Sequence, residues 1–223
     1  SAKLNTVSPG ETVKLGKFTV EFIHVNHSIP DSVGFAITCG AGTVVQTGDF
    51  KIDTTPIDDF VIDIGRFSEL GKQGVLALMS DSTNAARPGY TPSERIVGET
   101  FSKFFSQAGD SRIIVATFSS NIHRIQQIID EAVRCGRKVA VSGRSMINVV
   151  SVASELGYLN VPDNVLVDID MIKNYPANEM VIVTTGSQGE PMSALHRIAF
   201  SEHRQVEIIP GDMIIISANP IPG

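Results

Sequence analysis

Tryptophan is absent from these 223 residues, and tyrosine occurs only three times. Packing therefore falls to eleven phenylalanines and to the aliphatics, Val and Ile above all. Cysteine is nearly absent. Cys39 and Cys135 lie far apart in no C-x-x-C pattern, so both are expected to be buried, reduced thiols of a cytoplasmic protein. No apolar run approaches the roughly 20 residues that a membrane span needs. The start, Ser1-Ala2-Lys3-Leu4, lacks the apolar core of a signal peptide and reads as mid-protein sequence. A membrane partner is excluded on these grounds, and a cytoplasmic location is expected. Positive charge is in deficit as well, since the net charge is −6.

A net negative charge argues against a nucleic-acid partner, but its distribution qualifies that. Between Arg112 and Arg144 lie six basic residues (Arg112, Arg124, Arg134, Arg137, Lys138, Arg144) against Asp130 and Glu131, a local +4 that leaves −10 elsewhere. Charge alone leaves two readings open, a localised phosphate-binding surface or the solvated face of a helix. Hydrophobic residues make up 42% of the chain, enough to build one large domain or two small ones.

Many short Val/Ile runs separated by Gly and Pro predict an α/β protein with a buried sheet. Lys17 to His24 alternates as a half-buried strand, and Gly34–Cys39 with Thr43–Val45 forms a hairpin through Gly40-Ala41-Gly42. Asp53 to Gly74 is a polar connection with one short helix. Beyond residue 75 the pattern changes to strands alternating with helices, the signature of a doubly wound parallel sheet. Val75–Met79 is expected to be a short buried strand. Thr91-Pro92-Ser93-Glu94 has the form of a capping box opening a helix to about Gln107. Arg112–Thr117, Lys138–Val141, Val165–Val167, Val181–Thr184 and Met213–Ser217 are the expected strands. Helices are expected from Ser120 to Gly136, from Ser145 to Gly157 and from Pro191 to Phe200. The boundary between the two patterns falls at about residue 88.

Five histidines are few, so their positions matter. His24 and His27 end a strand, and Asp49 follows Thr47-Gly48 at another strand end. Imidazole and carboxylate from adjacent strand ends suit zinc, although zinc takes three or four protein ligands. A hydrogen-bonded strand-end histidine and a turn aspartate stand beside that reading. Phe118-Ser119-Ser120-Asn121-Ile122-His123-Arg124 joins a strand to a helix start, where free N–H groups favour an anion. A histidine there can donate a proton to a phosphate oxygen, or stand simply as a surface residue beside a cap. Thr185-Gly186-Ser187-Gln188-Gly189-Glu190-Pro191 repeats the design, with small residues that let backbone approach a ligand. It is neither a Walker A loop nor a dinucleotide fingerprint. His196 and His203 have no partner evident in the sequence and are taken as structural or exposed.

Seven segments in order resemble the ribonuclease J family, and together they span nearly the whole chain. They are His27-Ser28-Ile29-Pro30-Asp31-Ser32, Thr47-Gly48-Asp49-Phe50-Lys51, Ser80-Asp81-Ser82-Thr83-Asn84, Ser119-Asn121-His123-Arg124, Gly143-Arg144-Ser145-Met146, Thr185 to Met192, and Pro220-Ile221-Pro222-Gly223. The resemblance implies part of an αββα metallo-β-lactamase domain over residues 1–88, followed by most of a doubly wound β-CASP domain with a mostly parallel sheet over residues 89–223. It implies that His27 binds one zinc and Asp49 bridges two. Asp81 would orient neighbouring groups, and His123 would stabilise or protonate the scissile phosphate. Ser119, Asn121, Arg144, Ser145 and Ser187 would hold RNA and its 5′-monophosphate. Two zinc ions would generate hydroxide at neutral pH and stabilise the charge of the transition state.

The same resemblance implies that the chain is an internal piece. The family's His-x-His-x-Asp-His motif is expected before Ser1, and its last β-CASP histidine after Gly223. Little or no zinc and no RNA cleavage are therefore expected of this chain by itself. The parent is expected to be a 5′-to-3′ exoribonuclease and endoribonuclease of RNA maturation and decay, a homo-oligomer with possible RNA-decay partners. Alternatives are another β-CASP nuclease, of the pre-mRNA 3′-end or DNA-repair type, and a non-catalytic RNA-binding or assembly module. A β-lactamase-like hydrolase has no place for the alternating segment after residue 88.

Overall fold

Strand β1 (Thr12–Leu15) turns back into β2 (Phe18–His24) in a computed structural model that describes residues 3–218. The alternation of KFTVEFIH puts Ile23 into the core of this first unit, residues 1–95. Next come β3 (Val33–Cys39) and β4 (Gly42–Gln46), the predicted hairpin, with Cys39 paired to Gly42. Helix α1 (Ile64–Gln73) then crosses to β5 (Ala77–Met79), which pairs parallel to β4. The sheet order is β1-β2-β3-β4-β5. Leu70 and Phe67 of α1 pack on Ile23, Ala36 and Val45. The helix starts because the Asp63 carboxylate accepts from the Arg66 N–H, and the Arg66 guanidinium forks onto both oxygens of Glu21 at 2.6 and 2.9 Å. One expectation is corrected here. β5 is exposed along its length, with Leu78 64% and Met79 60% accessible. Its only sheet neighbour among the described residues is β4, and the contacts that would bury an edge strand are not made there.

The second unit, residues 96–223, holds a five-stranded, wholly parallel sheet in the order β10-β6-β9-β7-β8. Its strands are β6 (Ile113–Ala116), β7 (Lys138–Ser142), β8 (Leu166–Val167), β9 (Met180–Thr184) and β10 (Met213–Ile216). Its helices are α2 (Glu94–Gln107), whose first two residues fall in the first unit, then α3 (Ile122–Arg134), α4 (Arg144–Glu155) and α5 (Ala194–Ala199). Two 3-10 segments, Ile169–Asn174 and Ala177–Glu179, stand where no element was expected.

Side chains alternate across β6, β7 and β9, so the sheet has two apolar faces. Ile113, Val115, Val139, Val181 and Val183 join α2, α3 and α4 on one face. Ile114, Ala140, Met180 and Ile182 join Ile172, Ile198 and Val206 on the other. This is the doubly wound α/β fold that the sequence pattern predicts. Right-handed crossovers explain the layering: β6→β7→β8 moves one way across the sheet and β8→β9→β10 the other.

Helix starts needed correction. α2 begins at Glu94 instead of at a Thr91 capping box. The Ser93 hydroxyl accepts from the Arg95 N–H at 3.3 Å, and Asp53 accepts from the Glu94 N–H at 3.3 Å. α3 begins at Ile122 with Asn121 as its cap, not Ser120, although its end matches expectation, with Cys135 as C-cap and Gly136 following at φ +68°. Cys39 and Cys135 are unbridged as expected, but half-buried instead of buried. Pro220 to Gly223, the last motif, lies outside the described residues.

Candidate functional site

The first unit gathers three of the predicted residues. Asn26 and Lys51 form an isolated antiparallel bridge, with the Lys51 N–H donating to the Asn26 carbonyl at 2.9 Å. That bridge carries His27 and Asp49 together, and His27 Nε2 lies 4.0 Å from Asp49 Oδ2. Asn26 is itself buried, donating to the Phe60 carbonyl at 2.5 Å and accepting from the Ile62 N–H at 2.9 Å. Thr47 ties in the third residue, because its hydroxyl accepts from the Asp81 N–H at 3.0 Å. Hydrogen bonds from Thr83 chiefly, then the Phe50 backbone and the nearby His27 charge, hold the Asp81 carboxyl below its ordinary range against a small desolvation cost. Asp81 is therefore a carboxylate at neutral pH, fixed and facing the same locality as His27. Among the described residues, no three His, Cys, Asp or Glu side chains are grouped to hold a metal ion. The site offers imidazole and carboxylates, yet not a full zinc shell.

In the second unit, every other predicted residue falls at the carboxyl edge of the parallel sheet. Ser119, Asn121 and His123 follow β6, Arg144 and Ser145 follow β7, and Ser187 follows β9. β6 and β9 are neighbours whose connections leave to opposite faces, so a crevice opens at their carboxyl ends, where ligands bind in such sheets. Asn121 is buried and its Oδ1 accepts from the Arg124 N–H at 3.1 Å, so this oxygen serves the helix. His123 stands in the first turn of α3, half-buried. Ser187 carries a buried hydroxyl oxygen with no hydrogen-bond partner among the described residues. An unsatisfied buried hydroxyl is costly, and a ligand oxygen would relieve it. Gly143 brings the loops after β7 and β9 together: a Cβ there would stand 2.9 Å from the Thr185 hydroxyl.

The basic stretch from Arg112 to Arg144 does not make one phosphate-binding surface, nor one solvated helix face. Arg112 forks onto the buried Asp212 at 3.0 and 2.6 Å. Arg124 donates to the Ser217 carbonyl, Arg134 pairs with Glu131, and Lys138 donates to the Asn164 carbonyl. Arg137, only 5% exposed, donates to the Gly109 and Ser111 carbonyls. Most of the local +4 is thus spent on closing loops. Of the six, Arg144 is the one whose side chain makes no such bond among the described residues.

His203, expected to be structural or exposed, is structural. Its Nδ1 accepts from the Gln205 and Val206 N–H groups at 3.3 and 3.1 Å, which fixes the proton on Nε2, 2.9 Å from the Ser142 hydroxyl. Burial, with the Arg197 charge, lowers its pKa, so the ring is neutral. The only hint in the sequence is a histidine placed just before Arg204-Gln205.

Residues 110–223 match the family described as Ribonuclease J, beta-CASP domain. The chain belongs to the ribonuclease J family. It is similar to the ribonuclease J of Synechocystis sp., 51% identical over 221 residues that cover 99% of this chain and 34% of that protein. The ribonuclease J of Helicobacter pylori is 48% identical over 211 residues, covering 95% of this chain and 30% of the relative. That of Thermus thermophilus is 46% identical over 221 residues, covering 99% and 38%. The chain thus spans about a third of the length of the curated relatives it matches. A crystal structure from Enterococcus faecalis, titled as a protein of unknown function, superposes with a TM-score of 0.61 over 96% of this chain and 57% of that one. At 12% identity it supports the fold alone. Among the described residues, no helix is long and apolar enough to cross a membrane.

Proposed function

We propose that this chain is part of a metal-dependent RNA hydrolase that acts on phosphodiesters in RNA maturation and decay, 5′-to-3′ and also internally. The observation that carries the reading is the gathering of Ser119, Asn121, His123, Arg144, Ser145 and Ser187 at one sheet edge, at the strand pair where the winding reverses. Such an edge presents hydroxyls, backbone N–H groups and a cation to an anionic polymer. Ser187 is poised to donate to a phosphate oxygen, since its hydroxyl has no competing partner among the described residues. Arg144, which follows the neighbouring strand β7, supplies positive charge, and the exposed Ser145 a further donor.

His123 is the proton donor to the scissile phosphate in this reading, placed at a helix start where an anion is favoured. Asp81 is a positioning residue in this reading, held ionised chiefly by the Thr83 bonds. His27 and Asp49 are two zinc ligands in the same reading. The described residues supply no third, so the set present does not fit a complete zinc site. The chain by itself is accordingly expected to bind RNA and to hold little zinc. The incomplete ligand set equally favours a second reading, a non-catalytic RNA-binding module.

Metal analysis of the purified chain, with incubation of a 5′-monophosphorylated RNA in added zinc or manganese, tests the proposal. The expected result is bound RNA, no stoichiometric metal and no cleavage. Stoichiometric metal with cleavage would require a site built from other residues. In a longer form of the protein carrying further ligands, metal-dependent cleavage lost on His123→Ala supports the hydrolase, whereas cleavage-free binding supports the module.

A further inference from the structure

The segment from Asp58 to Asp63 in the first unit is neither helix nor strand, yet hydrogen bonds fix it along its length. The Phe60 carbonyl accepts from Asn26 Nδ2 at 2.5 Å and from His24 Nε2 at 3.1 Å, and the Phe60 N–H donates to the Asp58 carboxylate at 3.2 Å. The Ile62 N–H donates to the Asn26 side chain and the Asp63 N–H to the His24 carbonyl. Upstream, Arg95 donates to the Thr55 and Pro56 carbonyls and pairs with Asp59 at 2.6 Å. Asp59 itself sits in the left-handed region at φ +62°, which an aspartate tolerates in a turn.

What this frame presents to solvent is apolar. Phe60 is 68% exposed, Val61 and Ile64 are nearly half exposed, and only Ile62 among them turns into the core. A mobile loop could fold such side chains away from water; this one holds them out, with the Phe60 ring edge-on to His24 at 6.2 Å. Contiguous apolar surface with a polar rim marks an interaction site, unlike singly scattered apolar residues. The three side chains line a groove of about 680 Å³. Asp31, Asp58 and Asp63 line it too, and no lysine or arginine does. Asp63 accepts from the Arg66 backbone N–H, a neutral donor that leaves the carboxylate charge in place. Apolar walls focus such a charge, so the groove favours an apolar partner that carries positive charge and repels an anionic one, RNA included.

We propose that this groove docks a basic, apolar segment of a partner protein. Its aliphatic or aromatic side chains sit on Phe60, Val61 and Ile64, and its lysines or arginines lie beside the three aspartates. Phe60 is the anchor, as buried aromatics are in protein interfaces, and the carboxylates set the orientation and speed the encounter. Because the frame is already bonded, docking orders little of it, and little affinity is lost to that cost. The surface belongs to the first unit alone and stands apart from the RNA reading, which concerns the sheet edge of the second.

Fluorescence anisotropy of the purified chain with a short labelled peptide of alternating arginine and leucine tests this. Two control peptides carry glutamate in place of arginine and serine in place of leucine. Saturable binding of the first peptide, weakening as salt rises and roughly tenfold tighter than either control, is expected. Phe60→Ala should weaken it by roughly tenfold or more, since the frame is bonded through the Phe60 backbone and survives loss of the ring. Asp63→Asn removes a charge but keeps the α1 cap, because asparagine caps as well as aspartate, and should weaken binding by roughly threefold. Phe200→Ala, at a phenylalanine of the second unit that is 66% exposed, should leave binding unchanged. Circular dichroism must show each variant folded. Absence of saturable binding, equal binding of the control peptides, or equal affinity in folded Phe60→Ala and the parent would overturn the docking site. Sedimentation of the chain without peptide covers another occupant: self-association that Phe60→Ala abolishes would assign the groove to a second copy and overturn the proposal as well.

Discussion

Gly186 opens the loop after β9 that carries Ser187, and replacing it with alanine tests how that loop is built. Its φ is +106°, outside the left-handed helical well that side chains occasionally adopt. A Cβ there would stand 2.9 Å from Ser193 Cβ and 3.0 Å from Leu195 Cβ, and would overlap the Ser193 hydroxyl. That hydroxyl caps α5 by accepting from the His196 N–H at 3.3 Å, so relieving the clash sacrifices the cap. Backbone strain of about 1–3 kcal/mol, overpacking of similar size and a cap worth about 1 kcal/mol combine to roughly 3–7 kcal/mol. Gly189 in the same loop supplies the control, since its φ is +72° and nothing lies within 4 Å of its Cβ position. Gly189→Ala should cost only about 1–2 kcal/mol. Urea denaturation followed by circular dichroism measures both. Gly186→Ala and Gly189→Ala lying within about 0.5 kcal/mol of each other would refute the close packing argued for the loop.

Asp212→Ala strands the Arg112 guanidinium, 11% exposed, beside an Ile209 N–H that also loses its acceptor, and should cost about 3–5 kcal/mol in the same assay. A loss under about 1 kcal/mol would show the pair to be dispensable. His203 has a folded pKa below its ordinary value, so its contribution to stability is complete above pH 6.5 and is lost as pH falls through the folded value. Between about pH 7 and pH 5 the parent should therefore lose more stability than His203→Gln, and equal losses would contradict the buried neutral ring. Burial pushes the Asp53 carboxyl up, but donors from Thr55, Lys51, Ser93 and Glu94 outweigh it and hold it below its ordinary value. The stability it adds is present above the ordinary carboxylate range and is lost as pH falls below it. The gap between the parent and Asp53→Asn, wide at about pH 7, should close near pH 3; a gap independent of pH would refute the assignment.

The parallel sheet of the second unit was legible because its strands are short Val/Ile runs at βα spacing, and burial on both faces leaves little else for them to be. Helix α1 is the one short helix expected between Asp53 and Gly74, although only its Leu70 is fully buried. The start of α2 was missed because Ser93, not Thr91, is its local cap and the Glu94 N–H is held by Asp53, forty-one residues away. The same long-range bonding hid the fate of the basic stretch. Arg112, Arg137 and Lys138 look like free cations in sequence, yet their partners are a distant aspartate and loop carbonyls. His27 and Asp49 were legible as strand-end polar residues, but their meeting depends on Asn26, whose buried side chain has no pattern around it.

We propose above that this chain binds RNA at the carboxyl edge of its second sheet. Fluorescence anisotropy with a 5′-monophosphorylated single-stranded RNA, against the same RNA with a 5′-hydroxyl, tests it most directly. The account predicts saturable binding that weakens with salt, favours the 5′-phosphate, and falls by roughly tenfold or more when Ser187→Ala and Arg144→Gln are combined. Affinity that is indifferent to the 5′ end and unchanged in that folded double variant would contradict it.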